Sequence, residues 1–254
     1  MSKHETGLQQ LFLELGLKRI AAVLDDELGR AAADATPASD LLTRLLRLEV
    51  DARTERRAER RIKEAKLPDR KLLTDFDFDF QKNIDKRQIM ELATLEFARR
   101  KQGLVFAGNS GTGKSHIAKA LLLIGCRQNY RCRYVTATSM LKELLAGRAD
   151  NSLDKKLKIF LTPEILLIDE VGFDRLEQHD AANACLFHKV IDGRYCKGST
   201  IITTNIDFKQ LGEYLGDPVI TTATVDRMIH HSIIISIEGP SWRLHESRRL
   251  NSTK

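Results

Sequence analysis

No apolar run in this 254-residue chain approaches the roughly 20 residues that a membrane-crossing helix needs. The first residues, with Lys3, His4 and Glu5, are not a signal peptide, so a cytoplasmic protein with no membrane partner is expected. Cysteine is scarce. Cys126, Cys132, Cys185 and Cys196 include no C-x-x-C pair and no histidine partner at zinc spacing. That argues against a zinc module or a disulfide framework and for reduced, mostly buried thiols. Aromatic residues are 6% of the chain, which leaves no aromatic-rich surface for base stacking. Charge is plentiful but uneven: nine bases against four acids between Arg53 and Lys71 supply most of the net +6. A polyanionic partner is to be sought there. At 42% hydrophobic, the chain can still bury a full core.

Gly108, Asn109, Ser110, Gly111, Thr112, Gly113, Lys114 and Ser115 form a complete G-x-x-x-x-G-K-[ST] loop. It follows the apolar run Gly103-Leu104-Val105-Phe106-Ala107 and opens into a helix-like stretch over 117–126. In that strand–loop–helix setting, consecutive backbone N–H groups curl round phosphates. Lys114 is placed for the β- and γ-phosphates, Ser115 for Mg²⁺, and the helix N-terminus favours the negative charge. The expected ligand is ATP with Mg²⁺.

A second apolar strand, Ile165-Leu166-Leu167-Ile168, ends in Asp169 and Glu170. Ligands bind at the carboxyl ends of strands in open α/β sheets. Asp169 is therefore the candidate for the metal shell and Glu170 for polarising the attacking water. A third, Ile201-Ile202-Thr203-Thr204, ends in Asn205, whose amide can bond both that water and the γ-phosphate. Alternation continues throughout. Strands are expected at 103–107, 132–136, 165–169, 200–204 and 233–237, and helices at 85–100, 114–128, 138–147, 152–160, 179–196, 207–215 and 220–230. This predicts a buried, mainly parallel sheet with helices on both faces.

Ahead of this, residues 6–33 carry helical apolar spacing broken near Gly16, and a long helix spans about 40–66 before Pro68. Arg53, Arg56, Arg57, Arg60 and Arg61 fall at i, i+3, i+4, i+7 and i+8 of that helix and share one face. A solvated face with Glu49–Arg53 and Glu59–Lys63 pairs would explain them equally. Arginine at five clustered positions favours phosphate recognition. The strict alternation over 74–80 suits an extended segment with Phe76, Phe78 and Phe80 on one side.

The loop, Leu-Leu-Ile-Asp-Glu and Thr-Thr-Asn, in this order, resemble the first, second and sensor motifs of an AAA+ ATPase. Gly216-Asp217-Pro218, Asp226-Arg227-Met228-Ile229-His230-His231-Ser232 and Glu238-Gly239-Pro240-Ser241-Trp242-Arg243-Leu244 resemble the IstB family more specifically. So do Arg194-Tyr195-Cys196-Lys197-Gly198-Ser199-Thr200 and Asp75-Phe76-Asp77-Phe78. That family comprises ATP-dependent helpers of insertion-sequence transposases, related to the DnaC helicase loaders.

The resemblance implies a five-stranded parallel sheet with the sensor strand between the loop strand and the Asp-Glu strand. It implies that Arg227 acts on ATP held by a neighbouring subunit of a homo-oligomer. It also implies that Lys155, Lys156 and Lys158, in an inserted helix pair, face DNA, although a solvated face fits them as well. Arg243 matches the terminal Ser-aromatic-Arg-Leu pattern, a candidate second sensor without the usual C-terminal helical lid to carry it.

The organisation expected is a DNA-binding, self-associating helical domain over 1–70, a seam over 71–84, an α/β AAA+ ATPase domain over 85–246 and a tail over 247–254. The expected function is ATP-dependent assembly on duplex DNA and presentation of that DNA to a cognate transposase, with hydrolysis as the reset. A helicase loader and a non-hydrolysing scaffold are the alternatives.

Overall fold

The computed structural model describes residues 3–172, 181–206 and 218–251. The expected helix over 207–215, Gly216 and Asp217 of the quoted motif, and the first two residues of the helix expected from 179 lie outside them. The chain divides into two compact units, Met1–Arg60 and Arg61–Lys254.

The first unit contains α1 (Lys3–Glu14), α2 (Lys18–Ala33) and most of α3 (Ala38–Ala65). Gly16, at φ 72°, makes the turn between α1 and α2 that a side chain would strain. Ile20, Leu24 and Leu45 form its core, with Phe12, Leu17, Val23, Leu28 and Leu41 packed around them. No side chain of its own segment caps α2, and Glu49 of α3 does so instead. Its carboxylate accepts the N–H groups of Arg19 at 2.7 Å and Ile20 at 3.2 Å. Arg53 Nε and Arg56 Nη2 donate to the same carboxylate at 3.2 and 2.9 Å.

The second unit runs α4 (Lys86–Leu92), α5 (Glu96–Arg99), β1 (Gly103–Ala107), α6 (Lys114–Arg127), β2 (Cys132–Thr136), α7 (Ala137–Ala149) and α8 (Leu153–Leu161). It continues with β3 (Ile165–Val171), α9 (Ala181–Arg194), β4 (Ser199–Thr204), α10 (Pro218–His230), β5 (Ser232–Ser236) and α11 (Trp242–Asn251). The strands form one parallel five-stranded sheet in the order β2-β3-β4-β1-β5. The sensor strand β4 thus lies between the loop strand β1 and the Asp-Glu strand β3, as the resemblance implied.

Strand alternation builds a core on each face of the sheet. Leu104, Phe106, Ile165, Leu167 and Ile201 pack with Ile117, Leu121 and Leu122 of α6. Val105, Leu166, Ile168 and Ile202 pack on the other side with Met140 and Leu144 of α7 and Phe187 and Val190 of α9. Each such side chain stabilises the fold by about 1.5–3 kcal/mol on burial. Arg194 is buried, and among the described residues no carboxylate pairs with it. It donates to the carbonyls of Phe160, Pro163 and Ser199 and to the Thr200 hydroxyl, tying the end of α8 to the starts of β3 and β4. Burial pushes its pKa down to about 10.

Two local expectations change. The helix expected over 85–100 is two short helices, because Leu95 takes a left-handed φ of 61° to bury its side chain completely. Residues 74–80 are not extended: a 3-10 turn covers Leu73–Asp75, and the Asp77 carboxylate accepts the Phe80 N–H at 2.9 Å. Phe76 and Phe78 pack on the core edge to face, while Phe80 turns away onto Trp242. Among the described residues no helix is long and apolar enough to cross a membrane. The four cysteines are free, with Cys126 and Cys132 buried and Cys196 exposed.

Candidate functional site

β1 delivers the chain to Gly108 at φ 135°, where a Cβ would collide with the Ile237 carbonyl. Gly113, at φ 97°, opens α6, and a Cβ there would meet the ring of Phe76. Both glycines are required by this backbone. Between them the loop is cross-braced: the Thr112 hydroxyl donates to the Asn109 carbonyl at 2.9 Å. Lys114 Nζ donates to the carbonyls of Gly108 and Asn109 at 2.7 and 2.6 Å, which holds the ammonium over the loop. Burial pushes its pKa down to about 8, against the pull of Asp169 and with a smaller push from Arg243.

β3 brings up the carboxylates. Asp169 is only 2% exposed, and Ser115 Oγ donates to its Oδ1 at 2.7 Å. Thr203 of β4 donates to the same Oδ1, and Tyr134 of β2 donates to Oδ2 at 3.2 Å. Burial, then the Asp169 charge, pushes the Tyr134 phenol above its ordinary range, so it stays a donor at neutral pH. In a regular strand Glu170 would point away from Asp169's side of the sheet. Instead the β3–β4 register slips between Ile168 and Val171, and Glu170 adopts φ 62°. Its N–H donates to Thr203 Oγ1 at 2.9 Å, which stabilises a left-handed residue that would otherwise cost about 1–2 kcal/mol. The carboxylate of Glu170 is exposed.

A cavity of about 620 Å³ opens here, lined by residues 110–115 with Glu170, Asn205 and Arg243. That volume lies within the roughly 300–1,000 Å³ of small-molecule sites. Ser115 and Asp169 offer Mg²⁺ a hydroxyl and a carboxylate side by side, and no cluster of three or more His, Cys, Asp or Glu able to hold a metal occurs among the described residues. The Ser115–Asp169 pair suits Mg²⁺, which takes one or two protein oxygens and fills its octahedron from phosphates and water.

The other candidates lie elsewhere. Arg227 is on α10 at the amino-terminal end of the sheet, where its Nε pairs with Asp192 at 2.7 Å and its Nη1 donates to the Ala223 carbonyl. A five-residue strand, about 16 Å, separates that end from the loop, so Arg227 faces no phosphate of its own chain. Lys155 and Lys158 are exposed on α8, and Lys156 reaches Glu143 at 3.6 Å. Of the arginine stripe, Arg53 and Arg56 embrace Glu49, and Arg57 and Arg60 are exposed. Arg61 is tied to Asn129 and Glu64 at 3.2 and 3.1 Å. Thr203 and Tyr134 were not foreseen. Thr203 lies inside the Thr-Thr-Asn signal, whereas nothing local marks Tyr134.

A family model described as IstB-like ATP binding protein matches residues 10–250. The putative ATP-binding protein of insertion sequence IS5376 from Geobacillus stearothermophilus is 39% identical over 210 residues, covering 83% of this chain and 82% of that protein. Its counterpart from insertion sequence IS21 of Pseudomonas aeruginosa is 33% identical over 242 residues, covering 95% and 90%. Among solved structures, the DnaC helicase loader superposes with a TM-score of 0.51 at 24% identity, over 59% of this chain and 86% of that one. DnaI does so with a TM-score of 0.54 at 22% identity, over 68% and 90%. The fold is an AAA+ P-loop domain, and the chain belongs to the IstB-like ATP-binding family.

Proposed function

We propose that this IstB-like chain is an ATPase that assembles on duplex DNA and presents it to the transposase of its insertion sequence. ATP binding orders the oligomer, and hydrolysis releases it. The observation that carries the reading is the division of the catalytic groups between the two ends of the sheet. Lys114, Ser115, Asp169, Glu170 and Asn205 gather at one end, and Arg227 stands at the other. Head-to-tail subunits would bring Arg227 of one chain to the nucleotide of the next.

Within a chain, the loop N–H groups and Lys114 bind the β- and γ-phosphates of the substrate. Ser115 and Asp169 would hold Mg²⁺, which supplies charge neutralisation on the phosphate oxygens. The exposed Glu170 carboxylate accepts a proton from the attacking water, and the Asn205 amide orients that water. The bulge at Glu170 breaks the alternation that would send its side chain to the other face and leaves it lining the loop cavity. The named helper role and the DNA partner are supported by the insertion-sequence relatives and by the excess of bases in α3.

Glu170→Gln should keep ATP affinity and lose about 10²–10⁴-fold in phosphate release. Arg227→Ala should likewise bind ATP and fail to turn it over. Mixed together, the two inactive proteins should regain part of the activity, because some interfaces then combine an intact Glu170 with an intact Arg227. No rescue on mixing would overturn action between subunits. Wild-type turnover by Glu170→Gln would overturn the assignment of the base. ATP binding by the wild type without any phosphate release on DNA would favour a scaffold, and preference for single strands a loader.

A further inference from the structure

Tyr134 plays no part in the chemistry above, yet it holds the one Asp169 oxygen that Ser115 and Thr203 leave alone. An aspartate carboxylate turns easily about its last torsion, whose wells are broad. Two donors on Oδ1 restrain one oxygen. A donor on Oδ2 restrains the plane as well. The tyrosine is itself braced: Lys119 Nζ lies 5.4 Å from its ring centroid, and the Lys119 side chain is only 15% exposed. Lys119 pairs with Asp69 at 3.3 Å, and Lys71 approaches the other oxygen of Asp69 at 3.7 Å. Asp69, Lys71 and Lys119 all line the same cavity as the loop.

From this chain of contacts we infer that Tyr134 is a positioning residue that orients the Asp169 carboxylate toward the metal, with the Asp69–Lys119 pair holding its ring in place. The inference rests on the ATPase reading and deepens it, by assigning control of metal affinity to side chains outside the recognised motifs. A purely structural tyrosine would need its ring for packing. A positioning tyrosine needs its hydroxyl. Partners of this kind typically change metal affinity or activity by about 10–100-fold when removed.

The test uses the full chain, a fluorescent ATP analogue and Mg²⁺ titrations, with EDTA as the metal-free reference. Tyr134→Phe keeps the ring and removes only the donor. Its analogue affinity in EDTA should match the wild type, and the Mg²⁺ needed for half-maximal tightening should rise about tenfold. Turnover should recover at saturating Mg²⁺. Lys119→Met should shift the Mg²⁺ requirement the same way by about threefold, through loss of the contact to the ring. A wild-type Mg²⁺ requirement in Tyr134→Phe would overturn the inference, as would an equal loss of affinity with and without metal. Because the readout is binding, absence of hydrolysis by the wild type would sink the ATPase reading alone. Absence of analogue binding by the wild type would sink both.

Discussion

The most deeply buried acid among the described residues of each unit is Glu49 in the first and Asp169 in the second, and the two are held in opposite ways. Asp169 and Glu49 are each 2% exposed. Glu49 accepts two backbone N–H groups at the start of α2 and two guanidinium groups, so its charge is answered on every side. Asp169 is bonded by hydroxyls alone, from Ser115, Thr203 and Tyr134. Neutral donors fix a carboxylate without cancelling its charge, which leaves it able to attract a cation. Guanidinium partners complete an ion pair and leave nothing to recruit. The neighbours, not the residue type, decide whether a buried acid is a site or a strut.

The contrast breaks most sharply at Asp169. Asp169→Asn keeps the size of the side chain and an oxygen for the hydroxyls, but it removes the charge. Phosphate release should fall on the order of 10³-fold, the scale of several kcal/mol of metal-borne stabilisation. The melting temperature should change little. Steady-state turnover beside a thermal melt checks both. A variant that melts early and is inactive for that reason would make Asp169 a strut like Glu49.

Glu49→Ala should do the reverse. Loss of the cap on α2 and of both arginine contacts should cost about 2 kcal/mol of stability, with ATP affinity intact. Circular dichroism would follow the helices, and the single Trp242, beside the loop, would report on the ATPase unit. The same acid carries a pH signature. Burial alone would raise its pKa, but the N–H groups of Arg19 and Ile20 and the guanidinium groups of Arg56 and Arg53 outweigh that and lower it. A carboxylate lowered in the folded state contributes stability above its ordinary 4.5 and loses it as pH falls through the folded value. Acid should therefore remove the wild type's advantage over Glu49→Ala below about pH 4.5.

What was legible in the sequence follows the same division between local and distant causes. The loop, the Asp-Glu strand and the apolar strands declare themselves, because chain neighbours cause them. Strand order came from the resemblance, since no periodicity says which strands pair. Leu95 was not legible: a leucine at positive φ carries no signal of its own and is held there by the core it fills. Glu49 was half legible. Its i,i+4 partner Arg53 is apparent from spacing, but the α2 N–H groups it caps are about 30 residues away. Tyr134 and Thr203 were brought to Asp169 by the pairing of β2, β3 and β4, which residue types alone do not show.

The smallest expected effect concerns the arginine stripe, where the comparison reaches the DNA. All three of Arg53, Arg56 and Arg57 are exposed, but Arg53 and Arg56 are paired with Glu49. Arg57→Gln should therefore reduce the slope of log affinity for duplex DNA against log salt by about 0.9, the value of one phosphate contact. The loss should be alike for unrelated sequences, since phosphate contacts position a protein without reading bases. Melting should be unaffected. The double variant Arg53→Gln with Arg56→Gln should do the opposite, lowering stability through Glu49 while leaving the salt slope nearly unchanged. A slope change of about 1.8 in that double variant would show that the two arginines leave Glu49 for phosphate when DNA binds. The closed acid would then be a strut only in the absence of DNA. An unchanged slope in Arg57→Gln would instead remove Arg57 from the proposed DNA contact, and the same result with Arg60→Gln would leave Lys155, Lys156 and Lys158 on α8 to make it.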